Sequence, residues 1–147
     1  MKKRIVSISF IAVYLFVLPL NVIPAIKHPD TTIEMTHFIS SLIFIIACLI
    51  LSVLYQNLTS ILSLGGMIAG IVIFILTKIE WLAYEYAVLD VIQGIVNPLY
   101  IVFVVPLFGI NYWFDVRYEM FSIGTSLFYL LLFAFSLFKK WTLSNRR

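Results

Sequence analysis

The order of apolar and polar positions divides the chain into five hydrophobic segments separated by short polar connections. As helices rising about 1.5 Å per residue, these segments match a bilayer core of roughly 30 Å. The pattern predicts an all-α integral membrane protein, one domain over residues 1–147, folded as a compact bundle of five helices. The predicted hydrophobic segments are 5–26, 37–55, 61–78, 91–112 and 120–138, with polar connections 27–36, 79–90 and 113–119 and tails 1–4 and 139–147.

Segments two and three are predicted to form a hairpin. Residues 35–77 contain no Lys, Arg, Asp or Glu, which leaves room for two passes through the hydrocarbon. The connection over residues 56–60 is only long enough for a tight turn between helices. We therefore expect these two segments to be antiparallel neighbours.

The segment 91–112 is the marginal one, because it contains Pro98 and Pro106 together with the polar residues Gln93 and Asn97. Each proline frees backbone groups that cost several kcal/mol in hydrocarbon unless neighbouring groups satisfy them. Two interpretations follow. The segment is either a Pro-kinked fifth span beside four clear ones, or a re-entrant segment that enters and leaves on one side.

An internal similarity favours the complete crossing. Residues 16–23 and 103–110 share the pattern F-V-x-P-L-x-x-I, and D-x-x-x-E-M follows at 30–35 and at 115–120. As a duplication, this gives two inverted helical hairpins around a central span, a pattern of transporter folds with broken helices. We therefore expect five crossings, with four as the alternative.

Composition excludes a water-soluble fold, since 63% of the residues are hydrophobic, mean hydropathy is +1.08 and 12% are charged, against roughly 25% in soluble domains. Seven of the ten Lys and Arg residues lie in the two tails, and all seven Asp and Glu residues lie between them. Positive residues beside spans stay cytoplasmic. We expect a multi-pass protein of the cell membrane with a cytoplasmic N-terminus, although two cytoplasmic tails require an even number of crossings.

Small residues on the third segment predict a helix-packing surface. Gly66 and Gly70 are four residues apart, and Gly65 and Ala69 repeat the spacing one residue earlier, so another backbone can approach closely. The partner is either another helix of the same bundle, which we favour, or a second protein chain, including a second copy. The lipid bilayer is the other predicted partner. No nucleic-acid partner is expected, because the net charge of +3 comes from membrane-anchoring tails.

Two polar clusters are candidate sites. Glu34 and His37 are adjacent on one face at the start of the second segment, where an ion pair or hydrogen bond is a simpler interpretation than a metal site; His28 is assigned to an exposed loop. The second candidate site, at a membrane boundary where ionisable groups suggest a proton, cation or headgroup site, contains Glu80, Glu85, Asp90 and Asn97. We predict no metal, no cofactor and no catalytic residue.

The order of His37-Phe38, Glu80 and Asp90-Val91-Ile92 along the chain resembles the VanZ-like family of small bacterial membrane proteins over about half the chain. The sequence departs from that pattern at Ala83 and Gly94, and we assign no membership.

Three functions are compatible with a bundle this small. We favour an accessory, immunity or regulatory protein acting through helix contacts. The alternatives are a small transporter or channel subunit with a site near Glu80, Asp90 and Asn97, and an intramembrane enzyme acting on lipid or cell-wall precursors, as the VanZ-like resemblance implies. A polar cavity lined by Asn21, His37, Asn97 and Glu80 would favour either alternative, and a dry interior would favour the first.

Overall fold

The computed structural model describes the backbone of residues 2–80 and 86–144 and the side chains of residues 4–79 and 88–142. Over these ranges the regular structure is helical, with no strand. The elements are α1 (Lys2–Lys27), α2 (Met35–Leu54), α3 (Gln56–Glu80), α4 (Tyr86–Leu99), a π-helical turn (Tyr100–Val104), a 3-10 helix (Val105–Tyr112) and α5 (Tyr118–Ser144). We call the π-helical turn the tip and the 3-10 helix the returning arm.

Within the described residues, five helical stretches are long and apolar enough to cross a membrane, which confirms the predicted helical membrane class and the number of hydrophobic helices. Their outward surfaces are apolar, as the bilayer requires; Ile61 and Leu131, for example, are 70% and 69% exposed. The five stretches are Arg4–Lys27, Met35–Leu54, Gln56–Ile79, Val88–Tyr112 and Tyr118–Thr142.

The first two helices form an antiparallel hairpin. Phe10 and Tyr14 of α1 pack against Phe44 of α2, while Asn21, further along α1, is bonded to Ser41, nearer the start of α2. The connection 28–34 therefore closes one end of the bundle, which we call the loop end. The opposite end, where α1 starts and α2 turns into α3 around Tyr55, is the tail end.

The helices α3 and α5 form the tightest pair in the bundle. Gly66 faces the ring of Tyr129, and Gly70 faces the backbone carbonyl of Ser122. At the tail end the hydroxyls of Ser60 and Ser136 are 2.8 Å apart. Because the partner's residue number falls as the number along α3 rises, the two helices are antiparallel. Small residues allow this approach where hydrocarbon gives no hydrophobic drive to associate.

The segment 86–112 descends from the loop end and comes back to it. The helix α4 packs along α3, and its continuation places Phe103 against Gly65, about four turns before α3 ends. The returning arm then follows α2 backwards, with Pro106 bonded to Ser41 and, beyond the arm, Trp113 in edge-to-face contact with Phe38. Since α2 begins at the loop end, the arm ends there too.

This path differs from the expected arrangement of two inverted hairpins around a central span. In that arrangement 91–112 crosses the membrane and makes α3 and α5 parallel, whereas the structure has them antiparallel. The physical reason lies in the backbone after Pro98, which leaves the α-helix for a π-turn and then a 3-10 helix. The similarity between 16–23 and 103–110 does not extend to the helix type, because residues 16–23 lie within the α-helix α1.

The turning backbone forms the centre of the core. Every residue from Val104 to Gly109 is buried, and Phe108 is fully buried beside Tyr100 and Phe121. Ile73 of α3 and Val17 of α1 complete this centre from opposite sides. The segment whose path was the least predictable from the sequence therefore lies at the centre of the bundle.

Replacing Gly70 by alanine should destabilise the bundle by about 1–3 kcal/mol, because overpacking of a tight contact costs that much. A Cβ at Gly70 would overlap the Ser122 carbonyl, which is backbone and has little room to move. The measurement is the free energy of unfolding in detergent micelles. Gly124→Ala on α5 is the matched control, since a Cβ there meets no atom within 4 Å. Equal stability of the two variants would contradict the close packing of α3 and α5.

Candidate functional site

A buried hydrogen-bond network around Asn21 holds the returning arm between α1 and α2. The Asn21 side chain is fully buried, and its Nδ2 donates to Ser41 Oγ at 2.9 Å and to the Pro106 carbonyl at 3.2 Å. Ser41 Oγ donates to the same carbonyl at 2.9 Å, and Ser40 Oγ donates to Asn21 Oδ1 at 3.1 Å. Side chains from two helices thus converge on one backbone carbonyl.

The network satisfies backbone groups that would otherwise be unpaired in the bilayer. Irregular backbone at membrane depth is tolerated only where protein groups or water satisfy it, since an unpaired polar group costs several kcal/mol in hydrocarbon. Gly109 N–H donates to Ser41 Oγ at 3.0 Å, so Ser41 serves the arm as acceptor and as donor. Asn21 and Ser41 therefore replace hydrogen bonds that a regular helix would make internally.

Tyrosine hydroxyls serve the tip in the same way. Tyr14 OH donates to the Val102 carbonyl at 3.2 Å, and Tyr129 OH donates to the Phe103 carbonyl at 2.9 Å. Both carbonyls belong to the tip, the π-helical turn that follows α4. Two helices, α1 and α5, thus donate hydroxyl hydrogen bonds to the irregular backbone where the chain turns.

Gly109 allows the arm to touch α2. A Cβ at this position would overlap the carbonyl of His37, so a larger residue would push the arm away from Ser41. Its role is close backbone approach, because its φ is not positive. The geometry of the Ser41 contact depends on this absence of a side chain.

A polar pocket of about 440 Å³ lies at the loop end, formed by the end of α1 and the start of α5. His28 is its most buried basic group, with a side chain only 8% exposed and Nε2 3.7 Å from Asp115 Oδ1. Glu119 is also buried, at 5% exposure. The sequence-based assignment of His28 to an exposed loop is therefore wrong, because Phe108 packs edge-on against its ring. The pocket is lined by His28, Pro29, Asp115, Arg117, Tyr118 and Glu119.

Asn111 shapes this pocket by clamping the turn before α5. Its Nδ2 donates to the Val116 carbonyl at 2.8 Å, and its Oδ1 accepts from Val116 N–H at 3.0 Å. Between them Asp115 adopts a φ of 46°, the left-handed region that Asp tolerates better than most residues. The clamp directs the Asp115 carboxylate toward His28.

The predicted pair Glu34 and His37 is brought together at the start of α2. His37 Nδ1 accepts the backbone N–H of Glu34 at 2.9 Å, the geometry of a capping box with histidine in place of the usual Glu or Gln. The bond satisfies one of the donors left free at a helix start. This geometry supports a structural role for the pair.

Two members of the second candidate site, Asp90 and Asn97, lie among the described residues. Asp90 and Asn97 are exposed on α4, on the side away from the buried Ile92 and Val96. The side chain of Glu80 and the whole of Glu85 lie outside the described residues. Asn21, by contrast, is fully buried in its own network, so Asn21 and Asn97 share no polar passage. Among the described residues no group of three or more His, Cys, Asp and Glu has the geometry to hold a metal ion.

An apolar cleft of about 270 Å³ lies beneath the tip, in the half of the bundle nearer the tail end. It exists because the segment 86–112 turns back and leaves the space below unfilled. Gly65 lies at its roof, where Phe103 packs against α3. The cleft is lined by Phe10, Ile11, Tyr14, Phe44, Cys48, Leu51, Thr59, Leu62, Ser63, Val102, Phe103, Tyr129 and Leu132.

The predicted packing residues divide between two neighbours. Gly66 and Gly70 face α5, while Gly65 faces the tip, and Ala69 is 1% exposed. All four residues pack within the same chain. A surface that binds another protein must therefore lie elsewhere on the bundle.

Sequence reasoning missed the Asn21, Ser41 and Gly109 network as the organising site. A signal was present, since polar residues inside hydrophobic segments tend to face the bundle interior and to bond to backbone. What the sequence lacked was the pairing, because Asn21 and Pro106 are 85 residues apart.

Comparisons with known proteins add no identity: no protein-family model, no curated protein and no solved structure matches this chain.

Replacing Asn21 by leucine, which is close in volume, should lower the free energy of unfolding by about 1–3 kcal/mol, the cost of leaving buried polar partners unsatisfied. Ser40 Oγ and the Pro106 carbonyl would each lose one bond. Asn97→Leu is the matched control, because Asn97 is exposed. Both variants would be unfolded in the same micelles. A larger loss in the Asn97 variant than in the Asn21 variant would refute the anchoring role of the network.

Proposed function

We propose that the protein is an accessory or regulatory membrane protein that binds a transmembrane helix of another membrane protein through the outer face of α4. The observation that carries this proposal is a polar and small surface on a helix at membrane depth. Asp90, Gly94 and Asn97 lie within about 60° of one another around α4, and all three are exposed.

This face has the composition of a helix-binding surface. A Cβ on Gly94 would meet nothing within 4 Å, so a second helix can approach the backbone there. Exposed carboxylate and amide groups are costly beside hydrocarbon, and a partner helix with hydrogen-bond donors or a cation would satisfy them. The hydrogen bonds of Asn21 also support this function over transport, since they occupy its polar groups within the bundle.

The charge of this face argues against a second copy as the occupant. In a two-fold symmetric dimer each surface meets itself, so the two Asp90 carboxylates would lie close together in a medium of low dielectric. A partner carrying Lys, Arg or hydroxyl groups has no such penalty. We therefore assign a different membrane protein.

We further propose four membrane crossings, by α1, α2, α3 and α5, with 86–112 as a re-entrant segment. The antiparallel contact of α3 with α5 supports this topology. It puts Arg4, Lys139 and Lys140 at the tail end, and Asp30, Glu34, Asp115 and Glu119 at the loop end. The positive-inside rule then orients the tail end toward the cytoplasm of the cell membrane. An even number of crossings removes the conflict between the two basic tails.

The topology predicts that Arg4→Cys and Lys140→Cys, each in a Cys48→Ala background, react on the same side of the membrane. Asp115→Cys should react on the other side. The measurement is labelling with a membrane-impermeant maleimide in intact cells and in inverted vesicles. Reaction of the two tail positions from opposite sides would establish five crossings.

The partner proposal predicts a specific crosslink in membranes of expressing cells. A photoreactive amino acid in place of Gly94 should capture one discrete protein, and the same group in place of Leu131, 69% exposed on α5, should not. Adding Asp90→Leu and Asn97→Leu should reduce the adduct at least fivefold, because the polar contacts are lost. An adduct of two copies of this chain, or one unaffected by these substitutions, would overturn the proposal.

A separate flux measurement tests the transport alternative. Purified protein in vesicles should give no proton or cation flux above protein-free vesicles. Flux that disappears in Asp90→Asn would favour the transporter alternative.

A further inference from the structure

The cleft beneath the tip is open to the side of the bundle. Its back is formed by residues of α2 and α5 that are nearly inaccessible, such as Leu51 at 2% and Tyr129 at 4% exposure. Its rim includes Ile11 of α1 and Val102 of the tip, which are 55% and 44% exposed. The opening therefore faces the surrounding hydrocarbon between α1 and α3.

The lining offers an occupant almost no hydrogen-bonding group. Thr59 Oγ1 donates to the Tyr55 carbonyl at 3.0 Å, and Ser63 Oγ donates to the Thr59 carbonyl at 2.6 Å. The Tyr14 and Tyr129 hydroxyls are used by the carbonyls of the tip. Since each hydroxyl already donates to backbone, the cleft fits an apolar occupant.

The lipid around the bundle is the occupant that reaches this opening directly. An extended hydrocarbon chain is apolar, thin and flexible, so it adapts to an irregular cleft. An unfilled cleft would also forfeit the dispersion contacts of its lining atoms.

The charges at the tail end favour an anionic headgroup at the mouth. Arg4 lies seven residues before Ile11 of the rim, on the same face of α1 and about 10 Å nearer the tail end. A guanidinium group has five N–H donors in a planar fork that fits a phosphate. We propose that this cleft binds one acyl chain of an anionic phospholipid, taken from the leaflet at the tail end.

The experiment uses the full chain in phosphatidylcholine vesicles with a trace of phosphatidylglycerol that carries a diazirine midway along one acyl chain. After illumination, peptide mass spectrometry should find labels on Cys48 and Leu51, which are 6% and 2% exposed and lie behind α1 and α3. Labels confined to outward residues such as Ile61 and Leu131 would overturn the proposal.

Filling the cleft provides the matched comparison. Ser63→Phe points into the cleft and should reduce labelling of Cys48 and Leu51 at least fivefold. Ile61→Phe lies at nearly the same depth of α3 but points outward, at 70% exposure, and should leave labelling unchanged. Leu132→Phe fills the cleft from α5, so the test does not depend on the folding of the Ser63→Phe variant alone. Unchanged labelling in both filled variants would refute binding in the cleft.

Two further measurements test the anionic headgroup and the rival occupant, which is a second copy of the chain. The same diazirine on phosphatidylcholine should label Cys48 at least threefold less, and Arg4→Gln should remove this difference. Equal labelling by the two lipids in the unmodified protein would overturn the anionic assignment. A crosslink between two copies of this chain from a photoreactive amino acid in place of Val102, which is 44% exposed at the rim, would show that a second copy enters the cleft and would overturn the lipid proposal.

Discussion

The fold depends on one carbonyl group, that of Pro106, and on the donors of Asn21 and Ser41 that bind it. A chain can reverse inside a bilayer only if its irregular backbone is satisfied by protein groups. Here α1 and α2 provide those groups, Gly109 permits the contact with α2, and tyrosine hydroxyls satisfy the tip. Without these bonds, the lowest-cost path for an apolar segment of this length is a continuous helix.

The reversal at mid-depth explains features on two sides of the bundle. On one side, α4 packs mainly against α3 and exposes Asp90, Gly94 and Asn97, the basis of the proposed partner contact. On the other side, the space below the tip remains open as the apolar cleft. The reversal also returns the chain to the loop end, so that the described basic residues of the two tails lie together at the tail end, an arrangement that the positive-inside rule favours.

Several parts of the fold follow from local sequence. The hydrophobic segments, the hairpin of α2 and α3 and the small-residue surface of α3 are properties of hydropathy, loop length and spacing within about 20 residues. The choice between a full crossing and a return was beyond local reasoning, because Pro98 and Pro106 are compatible with both. The similarity between 16–23 and 103–110 favoured the crossing, yet it could not report the distant donors that stabilise the return.

The sequence by itself determined that this is a helical membrane protein with five hydrophobic helices, since apolar length and charge placement decide that directly. Only the tertiary structure decided how the fourth hydrophobic segment runs, which face of α4 stays exposed and where His28 lies. These outcomes rest on contacts between residues far apart in the chain, such as Asn21 with Pro106 and His28 with Phe108. Hydrogen-bond satisfaction in a medium without water is a property of the assembled bundle, and no single segment contains it.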